Sequence, residues 1–167
     1  KLMSPERSFA RKYSLNIARL SPGQHEEQFD IDDDFFQHFD RSLIEAGQVK
    51  VKVKIMKYET HLDVRFYFEG EIMLPCDRCM EPYPQPISTE HRIFYSFDPD
   101  LDFEGYEVMH IERDKPELNL VQELYDFIHL AMPIRKVPPK AVHLCPEPVL
   151  AMLGLDAEGN PVENEAD

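Results

Sequence analysis

Two stretches of strict alternation constrain this chain more than any other feature. Val49, Val51, Val53 and Ile55 alternate with Lys50, Lys52 and Lys54, and Leu62, Val64, Phe66 and Phe68 alternate with Asp63, Arg65, Tyr67 and Glu69. A period of two marks a strand with one buried face. A turn at Glu59-Thr60 sets Ile55 against Val64, Val53 against Phe66 and Val51 against Phe68. The same register sets Lys50 against Glu69 and Lys52 against Tyr67 on the other face. A slip of one residue would turn every apolar side chain to solvent. Both faces therefore agree on one antiparallel hairpin, expected at the centre of the core sheet.

The remaining signals flank that hairpin. Tyr13, Leu15 and Ile17 alternate as a short strand, Ser21-Pro22-Gly23 marks a turn, and His25 to Ile31 reads as another strand. Asp32 can cap a helix running to about Ala46, closed by Gly47, with Phe35, Phe36, Phe39, Leu43 and Ile44 at helical spacing. Pro75 ends the second hairpin strand, and Pro82, Pro84 and Pro86 exclude a helix. Residues 87–97 read as a strand, 98–105 as an acidic loop and 106–111 as a strand. Asn119 with Gln122 predicts a capping box for a helix to Met132, which Pro133 stops. An extended basic segment follows to Pro148, then one helical turn over 149–153. The expected class is α+β, an antiparallel sheet or partly closed barrel flanked by two main helices. The expected organisation is a flexible segment over 1–12, one domain over 13–153 and a disordered acidic tail over 154–167.

At 167 residues, with 43% apolar and 11% aromatic side chains, the chain can bury a core, which excludes disorder throughout. No apolar run approaches the ~20 residues needed to cross a bilayer, and the opening stretch has no secretory-type apolar region. The expectation is a cytoplasmic protein without a membrane partner. The net charge is −14, and it is blocked. Residues 21–47 carry eight acids and one base, and residues 98–132 carry ten acids and two bases. Residues 48–58 carry four lysines and no acid. An acidic body favours a basic protein partner, of which a ribosomal protein is the common cytosolic type.

The most specific local feature is Pro75-Cys76-Asp77-Arg78-Cys79-Met80-Glu81-Pro82. Two cysteines three apart in a turn can hold a metal between thiolates, form a redox pair or be plainly structural. A tetrahedral zinc site needs four ligands. Cys145 is the one remaining cysteine, and His143 would share its side of an extended segment. Cys76, Cys79, His143 and Cys145 therefore permit a zinc site. With no second close cysteine pair, the preferred reading is a turn that does without metal. The redox reading lacks a thioredoxin-like setting.

The cysteine turn follows a hairpin and precedes an acidic loop. Then Leu118-Asn119-Leu120-Val121-Gln122-Glu123-Leu124 leads through Ile128-His129-Leu130-Ala131-Met132-Pro133. This order, over residues 13–150, resembles the YceD family, also called large ribosomal RNA subunit accumulation proteins. The resemblance implies a bacterial cytoplasmic protein or an organellar relative, needed for accumulation of the large-subunit ribosomal RNA and without a known catalytic activity. Many members carry a second cysteine cluster after the helix. Here Cys145 stands alone, with His143 as a substitute.

Enzyme signatures are missing: there is no Gly-rich phosphate loop, no Gly-x-Ser-x-Gly elbow and no His-Glu-x-x-His. The cluster at Asp30, Asp32, Asp33 and Asp34 fails as an EF-hand because its sixth position is Phe35. His129, among apolar neighbours, reads as a satisfied structural histidine. The expectation is a non-enzymatic factor. The alternative to a protein partner is direct contact with ribosomal RNA. It would use Lys50, Lys52, Lys54 and Lys57 beside Tyr67, with Arg135, Lys136 and Lys140, through phosphate contact and stacking. Against that stands a solvated lysine row that merely protects a sheet edge.

Overall fold

The structure is a computed structural model and describes residues 4–163. The central hairpin is present as β3 (Ala46–Lys57) and β4 (His61–Pro75). Tyr58 N–H donates to His61 O at 2.9 Å, closing the chain around Glu59 and Thr60. Counting outward from that bond faces Ile55 with Val64 and Val53 with Phe66, and all four are buried. Both strands are longer than the alternation alone marks. β2 (Gly23–Ile31) pairs antiparallel with β3, from Gly23 opposite Lys57 to Ile31 opposite Val49. β5 (Pro82–Ser96) and β6 (Glu107–His110) complete a sheet of order β2-β3-β4-β5-β6. The sheet is open, so the barrel alternative does not hold. It is also not wholly antiparallel, because β6 runs parallel to β5 after the acidic loop. A separate two-stranded pair joins β1 (Ser14–Asn16) to β7 (Glu117–Asn119).

Three prolines lie inside β5, at 82, 84 and 86. They survive there because residues two apart present their backbone N–H to the same side of a strand. Cys76 N–H donates to Glu81 O, so alternation turns the odd residues Tyr83 and Gln85 toward β4 and the prolines away from it. β6 pairs only with Ile93–Ser96, so no ladder bond is demanded where the prolines lack a donor.

The helices differ most from expectation. Pro5–Lys12 forms α1, capped by the Ser4 side chain with proline in its first turn, where a loose segment was expected. The helix expected over 32–46 is the short α2 (Asp33–Gln37), although Asp32 caps it as predicted, its side chain accepting from Phe35 N–H. Two bonds end it early, one local and one spanning 14 residues. Ser42 Oγ accepts from Ile44 N–H, and Asp33 Oδ1 accepts from Gly47 N–H at 2.8 Å, drawing Gly47 into β3. Phe35, Phe36 and Ile44 are buried, while Leu43 is exposed. α3 (Val121–Leu130) starts two residues late because β7 holds 117–119 extended against β1. Asn119 Oδ1 accepts from Val121 N–H, and Gln122 turns to Asp126, so the capping box is not made. His129 bonds Tyr125 O through Nδ1, as a satisfied histidine does. α4 (Glu147–Met152) falls where one helical turn was expected. Beyond it, Leu155 bridges Pro161 and Asp156 accepts from Asn160 N–H, so residues 155–161, within the expected tail, form a turn. Residues 1–3 and 164–167 of the expected flexible ends lie outside the described residues.

The chain divides into two compact units, and the stretch 13–153 contributes to both. The first comprises 1–31, 49–70 and 87–132. Its core sets Phe66 and Phe68 against Phe127 of α3, with ring centroids 5.4 and 6.0 Å apart, and His91 stacks on Phe127 at 4.1 Å. The second comprises 32–48, 71–86 and 133–167. It buries Phe35, Phe36, Ile72, Leu74, Tyr83 and Leu150. In that unit a side chain at Gly47 would meet Glu71 O, Ile72 and Phe36, each at 3.0 Å. A carbonyl within a sheet cannot retreat as a flexible side chain can. Gly47→Ala should therefore lower stability by about 1–3 kcal/mol, the usual cost of overpacking, with thermal or urea unfolding as the measure. No helix of the described residues is long and apolar enough to cross a membrane.

Candidate functional site

Where β4 ends at Pro75, the backbone turns back on itself. Met80 N–H donates to Cys76 O at 2.8 Å, and Met80 takes a left-handed conformation at φ 64°. A residue with a Cβ adopts that conformation at some cost, so the surrounding turn must impose it. Cys76 lies fully buried at the start of the turn and Cys79 half-buried at its end.

The proline-rich segment after α3 is fastened to this turn by a reciprocal clasp. Asp77 N–H donates to Lys136 O at 2.8 Å, Lys136 N–H donates to Asp77 Oδ2 at 2.7 Å, and Lys136 Nζ lies 3.3 Å from Asp77 Oδ1. The Lys136 amide, bonded to the Asp77 carboxylate, is the main reason that group sits below its usual range. Arg78 donates to Pro138 O at 3.1 Å, and its guanidinium also fills the space over Gly159. Two bonds from Val142 and His143 N–H to Pro139 O then curl the segment so that His143 and Cys145 face the turn.

The four side chains named from the sequence are thus brought together. The ligand atoms of Cys76, Cys79, His143 and Cys145 all lie within 4.8 Å of one another. Cys76 Sγ is 3.7 Å from Cys145 Sγ, and Cys79 Sγ is 3.1 Å from His143 Nε2. Zn–S bonds of ~2.3 Å in a tetrahedron place two sulfurs about 3.8 Å apart, so the spacing suits a shared ion. The electrostatics agree. Burial alone would raise the Cys76 thiol, but backbone N–H groups of Cys79 and Arg78 and the neighbouring thiols outweigh it and hold Cys76 below its ordinary value. Burial and the facing Cys79 and Cys76 sulfurs push Cys145 up to about 12. Three sulfurs this close cannot all carry charge unaided, and a divalent cation removes that conflict.

Sequence reasoning missed the clasp. Asp77 and Lys136 are 59 residues apart, and nothing in either local stretch points to the other. A polar residue inside a cysteine turn was the only available signal.

The lysine row lies in the first unit. Lys50, Lys52 and Lys54 are exposed on one face of β3, and Lys54 stands over the Tyr67 ring at 5.4 Å. β2 meets this row with acids: Asp30 is opposite Lys50, Glu26 is opposite Lys54, and Glu26 reaches Lys52 at 4.0 Å. Lys57 does not join the row, because its ammonium is held by the carbonyls of Ile17 and Leu20. In the second unit, Lys136 pairs with Asp77, Lys140 pairs with Glu158 at 3.1 Å, and Arg135 is exposed. The acidic residues of the loop, Asp98, Asp100, Asp102 and Glu104, are exposed, as are Glu26, Glu27 and Asp30 of β2.

No curated protein and no solved structure matches the chain. Residues 64–157 match the family model described as large ribosomal RNA subunit accumulation protein YceD.

Proposed function

The chain belongs to the YceD family, and from that premise we propose that it is a non-enzymatic cytoplasmic factor supporting large-subunit ribosomal RNA accumulation, acting through a basic protein partner. The observation that carries this reading is the pairing of β2 with β3. Two carboxylates lie along the lysine row, Asp30 opposite Lys50 and Glu26 opposite Lys54, and Glu26 also comes within 4.0 Å of Lys52. A row lined by carboxylates gains less from RNA phosphates than a bare one, since those carboxylates repel phosphate and lower the local positive charge. The loop at 98–104 and Glu27 of β2, which lies opposite Val53, meanwhile present exposed carboxylates to a Lys/Arg-rich surface.

Recovery of ribosomal particles with the tagged protein tests this, at low and high salt and with or without RNase. Association should weaken as salt rises, because exposed charges are screened beyond ~8–10 Å at physiological ionic strength. It should survive RNase and the triple change of Lys50, Lys52 and Lys54 to Gln. Loss under either treatment would reject the acidic-surface reading and put direct RNA contact in its place.

A second reading concerns the cysteines, and the convergence of four ligand atoms favours it. Cys76, Cys79, His143 and Cys145 hold a zinc ion as a structural pin, fastening the β4–β5 turn to the segment after α3. The residues fit a Cys3His set closed to substrate, which is the structural rather than the catalytic type of zinc site.

A further inference from the structure

In the first unit a cavity of about 480 Å³ opens beside the β3–β4 turn. Ile17, Ala18, Pro22 and Phe97 give it apolar walls. Two backbone bonds fix those walls, from Ala18 N–H to Pro116 O and from Phe97 N–H to Thr60 O.

Three cations, Lys57, Arg113 and Lys115, and one acid, Glu59, line this cavity, and Lys57 and Arg113 are each held by carbonyls. Lys57 Nζ donates to Ile17 O at 3.0 Å and to Leu20 O at 2.7 Å. An ammonium has three N–H groups, so one remains. Arg113 donates one Nη2 bond to Glu59 O at 3.0 Å, and its guanidinium lies over the Phe97 ring at 4.7 Å. Carbonyl anchors fix position without cancelling charge. Among the described residues no carboxylate comes within salt-bridge distance of either group, whereas the neighbouring Lys115 is met by Glu112 at 3.1 Å. In a chain with 32 acids against 18 bases, counter-ions are abundant. Two pre-positioned cations without an ion-pair partner, on a shared cavity whose other walls are apolar apart from Glu59 and Lys115, form an arrangement that an external anion completes.

We propose that this cavity binds a small organic anion, a carboxylate or phosphate carried on a flat apolar body. The volume lies in the range of ~300–1,000 Å³ usual for small-molecule sites. The guanidinium fork suits a group with two oxygens, and the remaining Lys57 donor adds a point charge beside it. The apolar walls give the body of the ligand a place that a bare ion would not use. This site is independent of the cysteine cluster and of the acidic surface.

The test is an NMR titration of the full chain with phenyl phosphate, benzoate, inorganic phosphate and benzylamine. One or both aryl anions should give saturable shifts centred on Ala18, Tyr58 and Phe97. The tighter of the two identifies the anionic group. Arg113→Gln should weaken binding about tenfold, roughly 1.4 kcal/mol, while leaving the rest of the spectrum in place. Lys57→Gln should weaken it similarly, and Arg113, being exposed, keeps the test valid if Lys57→Gln perturbs the fold. Any of four results overturns the proposal: no saturation by either aryl anion in the low millimolar range, equal binding of benzylamine, inorganic phosphate binding as tightly as phenyl phosphate, or unchanged affinity in Arg113→Gln.

Discussion

Replacing Phe66 by alanine should cost about 3–5 kcal/mol, while Lys52→Ala, one strand away, should change stability by less than about 0.5 kcal/mol. Phe66 is fully buried and lies at the meeting point of β4 and α3. Its ring neighbours are Phe68 at 6.3 Å and Phe127 at 5.4 Å, and Phe127 is in turn covered by His91. Removing the ring leaves a cavity between a sheet and a helix, and neither element can collapse into it without breaking its own backbone bonds. Lys52 keeps nearly half of its side-chain surface in water, and its contact with Glu26 is at the outer limit for an ion pair. Denaturant titration of both variants measures the contrast. Equal losses would mean that the hairpin register is wrong.

Removing the zinc proposed for Cys76, Cys79, His143 and Cys145 should have the other large effect. Protein purified without chelator is expected to carry one zinc per chain by elemental analysis. Structural zinc contributes an apparent ~10–16 kcal/mol in small peptides at neutral pH, which rivals the ~5–15 kcal/mol total stability of a typical domain. A chelator should therefore unfold the segment around 76–83 and 136–146, seen as loss of amide protection there. Cys76 is fully buried, so Cys76→Ser would disturb packing as well as ligation. Cys79→Ser, at a less buried position, is the cleaner variant, and His143→Cys should retain the ion where His143→Ala loses it. Acidification should release it too, because protons compete for the thiolates and the imidazole. Full stability and native amide protection in metal-free protein would reject the pin.

The features legible in the sequence share one property: they depend on residues close together in the chain. Alternation over seven residues fixes which face of a strand is apolar, so Val49–Ile55 and Leu62–Phe68 were readable with their register. The Asp32 cap was readable because a cap acts on a donor three residues away. The length of α2 was not, since it depends on Asp33 reaching Gly47 and on Gly47 entering a sheet beside Glu71 and Ile72. Helical spacing at Leu43 and Ile44 carried no information about that competition. The start of α3 was lost for the same reason: Asn119 has a capping side chain, but pairing of Leu118 with Leu15 keeps its backbone extended.

The site divides along the same line. The sequence by itself determined the chemistry: three thiols and an imidazole of the types zinc selects, with two of the thiols already joined by a turn. It also determined the charge blocks and the order of segments that points to the family. The tertiary structure alone decided that Cys145 reaches Cys76 and that His143 reaches Cys79, through a clasp of Asp77 with Lys136. It alone decided that β2 lays carboxylates along the lysine row, and that Lys57 and Arg113 meet at one cavity. The physical reason is range. Propensity, capping and alternation act within a few residues, whereas ligation, ion pairing and cavity formation join segments whose separation along the chain places no limit on their distance in space.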